Sequence, residues 1–308
     1  MMDTAFYLVL NMSITGTVIG LLLLILRRIK ILPTFGSYLL WGLVGIRLML
    51  PFSFSSSLSL FNFTGDLIKR VVAVPTREPS VDLTFTNVIG AASNYFPVSY
   101  QTELLNRIFS IATLVWIIFA AASLIAASIL YVLTRNALQK ARPISDGLFE
   151  SELITSPMVC GIIRPRIMIP AHLSMDKEAL DHILMHERVH LKRWDNLWRL
   201  IAVVIACLHW FNPLVWVFLK VFFEDMELAC DARAIKTLNA TKRKAYAMTL
   251  LQFGTGQRLL MSTAFGGSKM RVRIQNVISY RRLTLSAMVF TAGFIAAISI
   301  VLLTNPVK

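Results

Sequence analysis

The sequence is poor in charged residues, and acidic residues are the scarcer kind. Only 16% of its 308 residues are charged, against roughly 25% in a soluble domain, while 56% are hydrophobic. This composition argues against an ordinary soluble enzyme and indicates a membrane protein. The three cysteines, Cys160, Cys207 and Cys230, are too few and too widely spaced for a disulfide framework, so we expect reduced thiols.

The basic residues outnumber the acidic ones by 31 to 17, which gives a net charge of +14. Such an excess can indicate nucleic-acid binding, but here the basic residues lie beside apolar runs. Arg27 and Arg28 follow the first run, Arg135 follows the third, and Arg281 and Arg282 precede the last. The positive-inside rule describes this distribution. We therefore expect contact with membrane lipid and no direct contact with nucleic acid.

Four apolar runs are predicted to be transmembrane helices, because about 20 apolar residues cross a hydrocarbon core of about 30 Å. They cover about residues 4–26, 35–52, 108–133 and 283–303. All three basic clusters lie inside the cell if the N-terminus lies outside. The sequence therefore predicts a mainly α, multi-pass protein of the cell membrane with both termini outside.

This topology predicts three regions. Residues 1–133 form a membrane region with three spans and an outer loop over residues 53–106, to which we assign no chemistry. Residues 134–282 form a cytoplasmic domain, and residues 283–308 form the fourth span with a short outer tail. We expect Arg47, near the outer end of the second span, to extend its side chain toward water.

A G-x-x-x-G pattern in the first span, Gly16 and Gly20, indicates close helix packing. The packing partner is either another helix of the same chain or a second chain in a homodimer. The pattern does not decide between them.

The most informative motif is the H-E-x-x-H sequence formed by His186, Glu187 and His190. On a helix, residues i and i+4 share a face, so the two imidazoles can bind one Zn²⁺. Glu187 would lie beside the metal and take a proton from its bound water. With so few histidines in the chain, chance is a poor explanation, although two surface histidines that bind nothing are the alternative.

Two histidines leave zinc short of protein ligands, because catalytic zinc usually has three plus a water. We expect Glu227, on a later helix, to be the third, with Cys230 as a less favoured thiolate alternative. Asp231 lies one turn after Glu227, where it can bond the second nitrogen of a ligating histidine and fix its tautomer. His172, His182 and His209 are expected to be structural.

The segments around the motif are expected to be short strands and helices. Residues 151–172 are predicted to form two or three strands, an edge of which could hold an extended substrate. A helix capped by Ser174 should then run to about Arg193. The apolar stretch 197–223, broken by Pro213, is expected to form two helices that dip into the membrane or pack on the spans rather than cross it.

Three segments in order resemble the membrane-bound metallopeptidases of the BlaR/MecR type: HERVHLKRWDN, HWFNPLVW and EDMELACD. The preceding PMVCGIIRPRIMIP also resembles that family. The resemblance implies a gluzincin-like α+β peptidase domain between the third and fourth spans, facing the cytoplasm. It implies one zinc per chain on His186, His190 and Glu227, with Glu187 as the base. It also implies antirepressor signalling by self-cleavage and by inactivation of a transcriptional repressor, such as a winged-helix protein.

The best-known members of that family carry an extracellular penicillin-binding domain after the fourth span. Here the sequence ends a few residues beyond that span, and the S-x-x-K pattern at Ser174 lies on the cytoplasmic side, so we expect no β-lactam sensing. Residues 253–269 are rich in glycine, and we predict a self-cleavage between Leu260 and Ser268, at Ala264–Phe265. The alternative for this segment is an ordinary loop between a helix and a span. The alternatives for the function of the protein are an intramembrane protease and a non-catalytic transducer with a structural metal site.

Overall fold

The computed structural model describes residues 5–29, 33–51, 56–59, 103–171, 177–253, 270–282 and 284–304. The described chain is mainly helical with one small sheet. The helices are α1 (Ala5–Ile29), α2 (Thr34–Met49), α3 (Glu103–Leu138), α4 (Lys177–Arg193), α5 (Asp195–Leu208), α6 (Pro213–Ala234), α7 (Ala240–Phe253), α8 (Met270–Ile278) and α9 (Leu285–Leu303), with a short 3₁₀ turn at Ile235–Thr237. The strands are β1 (Arg142–Ser145), β2 (Leu148–Ser151), β3 (Met158–Cys160) and β4 (Arg166–Pro170).

The chain divides into two compact units. The first contains residues 1–122, 207–215 and 284–308, and the second contains residues 123–206 and 216–283. The apolar helices dominate the first unit, whereas the sheet, α4, α7, α8 and most of α5 and α6 belong to the second.

Three described helices are long and apolar enough to cross a membrane: Ala5–Arg28, Arg107–Leu138 and Leu285–Leu303. They correspond to the first, third and fourth predicted spans. The second predicted span is represented by α2, whose 16 residues rise only about 24 Å. This length is below the roughly 30 Å of a hydrocarbon core, so α2 by itself is a short apolar helix.

Helices α1 and α2 pack closely at Gly16. A Cβ atom at this position would lie 2.5 Å from Leu48 Cδ2, so a side chain here would force Leu48 to move. The close approach that the glycine pattern predicted is therefore made at Gly16 within one chain.

Arg47 differs from its predicted position. Its side chain is buried, and Nη1 donates a hydrogen bond to the carbonyl of Leu303 at 3.4 Å, where α9 ends. Because the last carbonyls of a helix carry partial negative charge, they attract the guanidinium inward. Arg47 therefore binds a helix end and does not extend to water.

The turn between α5 and α6 belongs to the first unit. His209 Nε2 bonds the carbonyl of Leu48 at 2.9 Å, and the Asn212 amide donates to Ser13 and Thr17 of α1. Pro213 begins α6, a position where a missing N–H costs nothing. The stretch 197–223 thus forms two helices joined by a polar turn, as predicted.

The sheet has the order β1-β2-β4-β3, in which β2 and β4 are parallel and the other two pairs are antiparallel. Two of the strands lie in the predicted region, whereas β1 and β2 precede it. Apolar side chains of α4, Ala179 and Ile183, pack with Val159, Ile167 and Ile169 of the sheet. This packing fixes which face of α4 is turned away from the sheet. Ser174 and His172 lie outside the described residues.

Candidate metal centre

Helix α4 brings the two histidines of the motif together. His186 and His190 are buried, and their Nε2 atoms are 3.1 Å apart. Glu187 is also buried and lines a cleft with His186, Tyr246 and Arg273. No hydrogen bond joins the Glu187 carboxylate to another side chain in the part of the chain that the structure describes.

Helix α6 supplies a carboxylate opposite the histidines. Glu227 Oε2 lies 3.4 Å from His186 Nε2, and Oε1 lies 3.5 Å from His190 Nε2. Zinc bonds to nitrogen and oxygen are about 2.0–2.1 Å, so two ligands of a tetrahedral ion are about 3.3 Å apart. The three separations are close to this value, and the residues therefore fit a zinc ion.

Cys230 is a second candidate, besides Glu227, for the third metal ligand. The ligand atoms of His186, His190 and Cys230 all lie within 4.8 Å of one another. The Cys230 thiol also donates to the carbonyl of His186, with Sγ 3.4 Å away. The structure thus brings two candidate third ligands, Glu227 and Cys230, to the histidine pair.

Each histidine is held through its other ring nitrogen. His190 Nδ1 donates to Asp195 Oδ2 at 2.6 Å, and His186 Nδ1 lies 3.0 Å from Asp231 Oδ1 and 2.9 Å from the Tyr246 hydroxyl. A proton on Nδ1 leaves the lone pair of Nε2 free to bind a metal. These contacts therefore select the tautomer that a metal ligand needs.

Asp195 reaches His190 because the chain turns sharply between α4 and α5. Trp194, the residue at the turn, has φ of 57°, which is rare for a bulky side chain. A conformation of this kind costs on the order of 1–3 kcal/mol, so the surrounding contacts must hold it. The turn places the fully buried Asp195 beside the imidazole.

A buried network surrounds Asp231. Tyr246 donates its hydroxyl to Oδ1 at 2.8 Å, and Arg273 donates to both carboxylate oxygens at 2.7 and 2.8 Å. Burial opposes ionisation of Asp231, but the Arg273 guanidinium and His186 lower its pKa below the ordinary value. The carboxylate therefore stays charged and can hold His186.

Two arginines also contact the Glu227 carboxylate. Arg199 Nη2 lies 2.7 Å from Oε1, and Arg273 Nη1 lies 3.4 Å from Oε2. Burial would raise the pKa of Glu227, yet His190, His186 and Arg273 hold it well below the ordinary value. Glu227 is thus kept as a carboxylate, the form that ligates metal.

The electrostatics of the cluster favour a cation. Burial opposes protonation of His186 and His190, but the neighbouring acidic groups, with Cys230 first among them, raise the pKa of both imidazoles well above the ordinary value. The same acidic groups would stabilise a metal cation between the two Nε2 atoms.

His182 lines the cleft beside His186 and Glu187, whereas His209, which the sequence also singled out, is not part of the metal centre. His182 Nδ1 bonds the Thr249 hydroxyl at 2.9 Å, and His209 lies in the other unit, on the carbonyl of Leu48. Ala264 and Phe265, the predicted self-cleavage bond, are outside the described residues.

Sequence reasoning missed four residues of this site: Asp195, Arg199, Tyr246 and Arg273. Asp195 lies five positions after His190, inside the segment HERVHLKRWDN, so its closeness to the motif and that resemblance were the available signals. Nothing in the sequence distinguishes Arg199, Tyr246 or Arg273 from other polar residues of their helices.

The site combines an H-E-x-x-H helix with a carboxylate from a second helix, the arrangement of a metallopeptidase. The chain belongs to the family described as BlaR1 peptidase M56, whose sequence model matches residues 7–277. Peptidases of this family are metallopeptidases, and its BlaR1 and MecR1 members are membrane signal transducers.

Several curated proteins are similar to this chain. The regulatory protein BlaR1 of Bacillus licheniformis is 33% identical over 156 residues, which cover 47% of this chain and 26% of that protein. The methicillin resistance mecR1 proteins of Staphylococcus aureus (strain Mu50 / ATCC 700699) and Staphylococcus epidermidis are each 24% identical over 265 residues, covering 79% of this chain and 45% of theirs. The matched part thus spans less than half the length of these relatives.

Proposed function

We propose that this protein is a membrane-embedded zinc endopeptidase that cleaves protein substrates on the cytoplasmic side. In this proposal α2 completes a set of four spans, both termini lie outside, and residues 134–282 form the peptidase domain. The flanking arginines described above support the orientation.

One observation carries the proposal. The Nε2 atoms of His186 and His190 lie 3.1 Å apart, and each lies 3.4–3.5 Å from one of the two carboxylate oxygens of Glu227. The carboxylate of Glu187 lines the adjoining cleft. Catalytic zinc sites combine three protein ligands of this kind with one open position. A general base must also lie next to that open position.

When bound, zinc would supply Lewis acidity, lowering the pKa of a coordinated water toward about 7 and polarising a carbonyl. Glu187 would accept the proton of the attacking water and pass it to the leaving amine. Asp195 and Asp231 would keep both imidazoles in position, while Arg199 and Arg273 would keep Glu227 ionised and aligned. Each of these roles belongs to a side chain that is buried or held by a short ion pair.

The outer edge of β3 is a poorer platform for the substrate than the sequence suggests. Asn196 donates its amide to the carbonyls of Val159 and Gly161, at 3.0 and 2.9 Å. These carbonyls are therefore not available to an added substrate strand. The substrate would instead approach through the cleft that Ser156 and Pro157 line beside Glu187.

Signalling by self-cleavage and by inactivation of a transcriptional repressor completes the proposal. The family supports it, because its BlaR1 and MecR1 members are signal transducers. The proposed self-cleavage bond is Ala264–Phe265, just before α8.

The test compares full-length wild type with Glu187→Gln in membranes. Both are incubated with cytosol of the host cell, and mass spectrometry then identifies new protein N-termini. We expect new termini, including one at Phe265, with wild type and none with Glu187→Gln. New termini in equal amounts with both proteins would overturn the peptidase proposal. If wild type produces other new termini but none at Phe265, the assignment of the self-cleavage to Ala264–Phe265 would be wrong.

A second candidate function is a transducer with a structural metal site, and Cys230 is the observation that favours it. If Glu227 and Cys230 both ligated the ion, all four tetrahedral positions would be filled and none would remain for water. Cobalt substitution separates the two functions, because a thiolate ligand adds an intense near-ultraviolet charge-transfer band that nitrogen and oxygen ligands lack. The peptidase proposal expects a spectrum without this band.

A further inference from the structure

The second unit contains a large cavity away from the metal centre, between the C-terminal part of α3 and the sheet. Its volume is about 750 Å³, in the range of sites that bind small molecules. Tyr131 and Arg135 line it from α3, and Phe149 and Met168 line it from the strands. None of the residues of the proposed metal centre lines this cavity.

The cavity is basic. Arg135, Arg164 and Arg166 line it, and no aspartate or glutamate does. All three guanidinium groups are exposed, and none pairs with a carboxylate within the described residues. Arg166 is held over the Phe149 ring, with Cζ 4.7 Å from the centroid. The cavity therefore presents three uncompensated positive charges to whatever enters it.

The cavity lies at the end of the long apolar stretch of α3. Residues 108–134 of α3 contain no charged residue and rise about 40 Å, which exceeds a hydrocarbon core of about 30 Å. Tyr131 and Arg135 end this apolar stretch, and tyrosine and arginine are typical of the interface between lipid and water. Both residues line the cavity, so in a membrane it would open near the level of the lipid headgroups.

The apolar part of the lining is also exposed. Ile163, in the turn between β3 and β4, lines the cavity with 89% of its surface accessible. Next to it in sequence is Arg164. A fully exposed isoleucine beside an arginine at a membrane surface is stable where the apolar side chain contacts lipid and the cation contacts a headgroup.

We propose that this cavity binds the phosphate headgroup of an anionic phospholipid. The arginines would bind the phosphate, for which planar guanidinium groups are well suited, and the apolar lining would contact the first acyl carbons. The site is separate from the proposed peptidase centre and does not depend on it.

The experiment measures lipid binding to the detergent-solubilised full chain by native mass spectrometry. Phosphatidylglycerol and phosphatidylcholine with identical acyl chains are titrated into wild type and into the triple variant Arg135→Gln, Arg164→Gln, Arg166→Gln. The matched control removes three exposed arginines that do not line the cavity, by Arg142→Gln, Arg281→Gln and Arg282→Gln. Glycerol phosphate is added in a separate arm to distinguish a lipid from a soluble phosphate.

We expect wild type and the control to bind one phosphatidylglycerol at least about tenfold more tightly than phosphatidylcholine. The cavity variant should lose this preference while keeping its thermal unfolding midpoint. Equal loss in the control, or no preference in wild type, would overturn the proposal. Displacement of the lipid by millimolar glycerol phosphate would assign the cavity to a soluble phosphate ester and overturn the lipid assignment.

Discussion

Arg273 and Asp231 form a fully buried, bidentate ion pair behind the candidate metal centre. Nε and Nη2 of the arginine lie 2.7 and 2.8 Å from the two carboxylate oxygens, and both residues are at most 3% exposed. Asp231 also contacts His186, and Nη1 of Arg273 also contacts Glu227. One arginine on α8 therefore supports residues from both helices that would hold a metal.

Removing this arginine should destabilise the second unit. Arg273→Met leaves Asp231 buried without its cationic partner, which costs about 3–5 kcal/mol for pairs of this kind. Thermal unfolding of the purified protein, followed by fluorescence, should show a clearly lower midpoint. The control is Arg271→Met on the same helix, because Arg271 is exposed. Equal midpoints for the two variants would contradict this account of the network.

Metal analysis tests the ligand set. Purified wild type should contain one zinc per chain, and His186→Ala and Glu227→Ala should each release it. Glu187→Gln should keep the zinc and lose proteolysis, because an amide cannot accept the proton of water. Cys230→Ser is the comparison for Glu227→Ala. Zinc lost from Cys230→Ser but kept by Glu227→Ala would transfer the third-ligand role to the cysteine.

Asp195 should control metal affinity without ligating the ion. Its carboxylate accepts a hydrogen bond from His190 Nδ1, and loss of such a partner typically weakens metal binding 10- to 100-fold. Asp195→Ala should therefore release zinc to a chelator at a correspondingly lower chelator concentration than wild type. Asp181→Ala, an exposed carboxylate on α4, should behave as wild type. Identical chelator titrations for all three proteins would assign Asp195 a purely structural role.

Much of the helical architecture could be predicted because it depends on local patterns. Charge-free runs longer than 18 residues predicted α1, α3 and α9, and Pro213 predicted the break between α5 and α6. Contacts between distant segments could not be predicted in the same way. Arg47 was expected in water, but it binds the end of α9, whose position no pattern in α2 reveals.

The residues of the candidate site also fall into two groups, those that local spacing predicts and those that only tertiary packing brings together. His186, Glu187 and His190 are brought together by helical spacing alone, so the motif was sufficient to find them. Arg273 reaches the site from a separate helix 42 residues beyond Asp231, and nothing in its own segment marks it. The packing of α4, α6 and α8 decides which basic residue becomes the buried one.

The proposed membrane orientation can be tested by cysteine labelling. This orientation is inferred from the flanking arginines and not from the metal centre. A cysteine at Ser56, near the start of the predicted outer loop, should react with a membrane-impermeant thiol reagent added to intact cells. A cysteine at Thr241, an exposed position at the start of α7, should react only after the cells are lysed. The chain with its three native cysteines gives the baseline, since Cys207 and Cys230 are buried. Labelling of Thr241→Cys and not of Ser56→Cys in intact cells would invert the orientation and place the candidate metal centre outside.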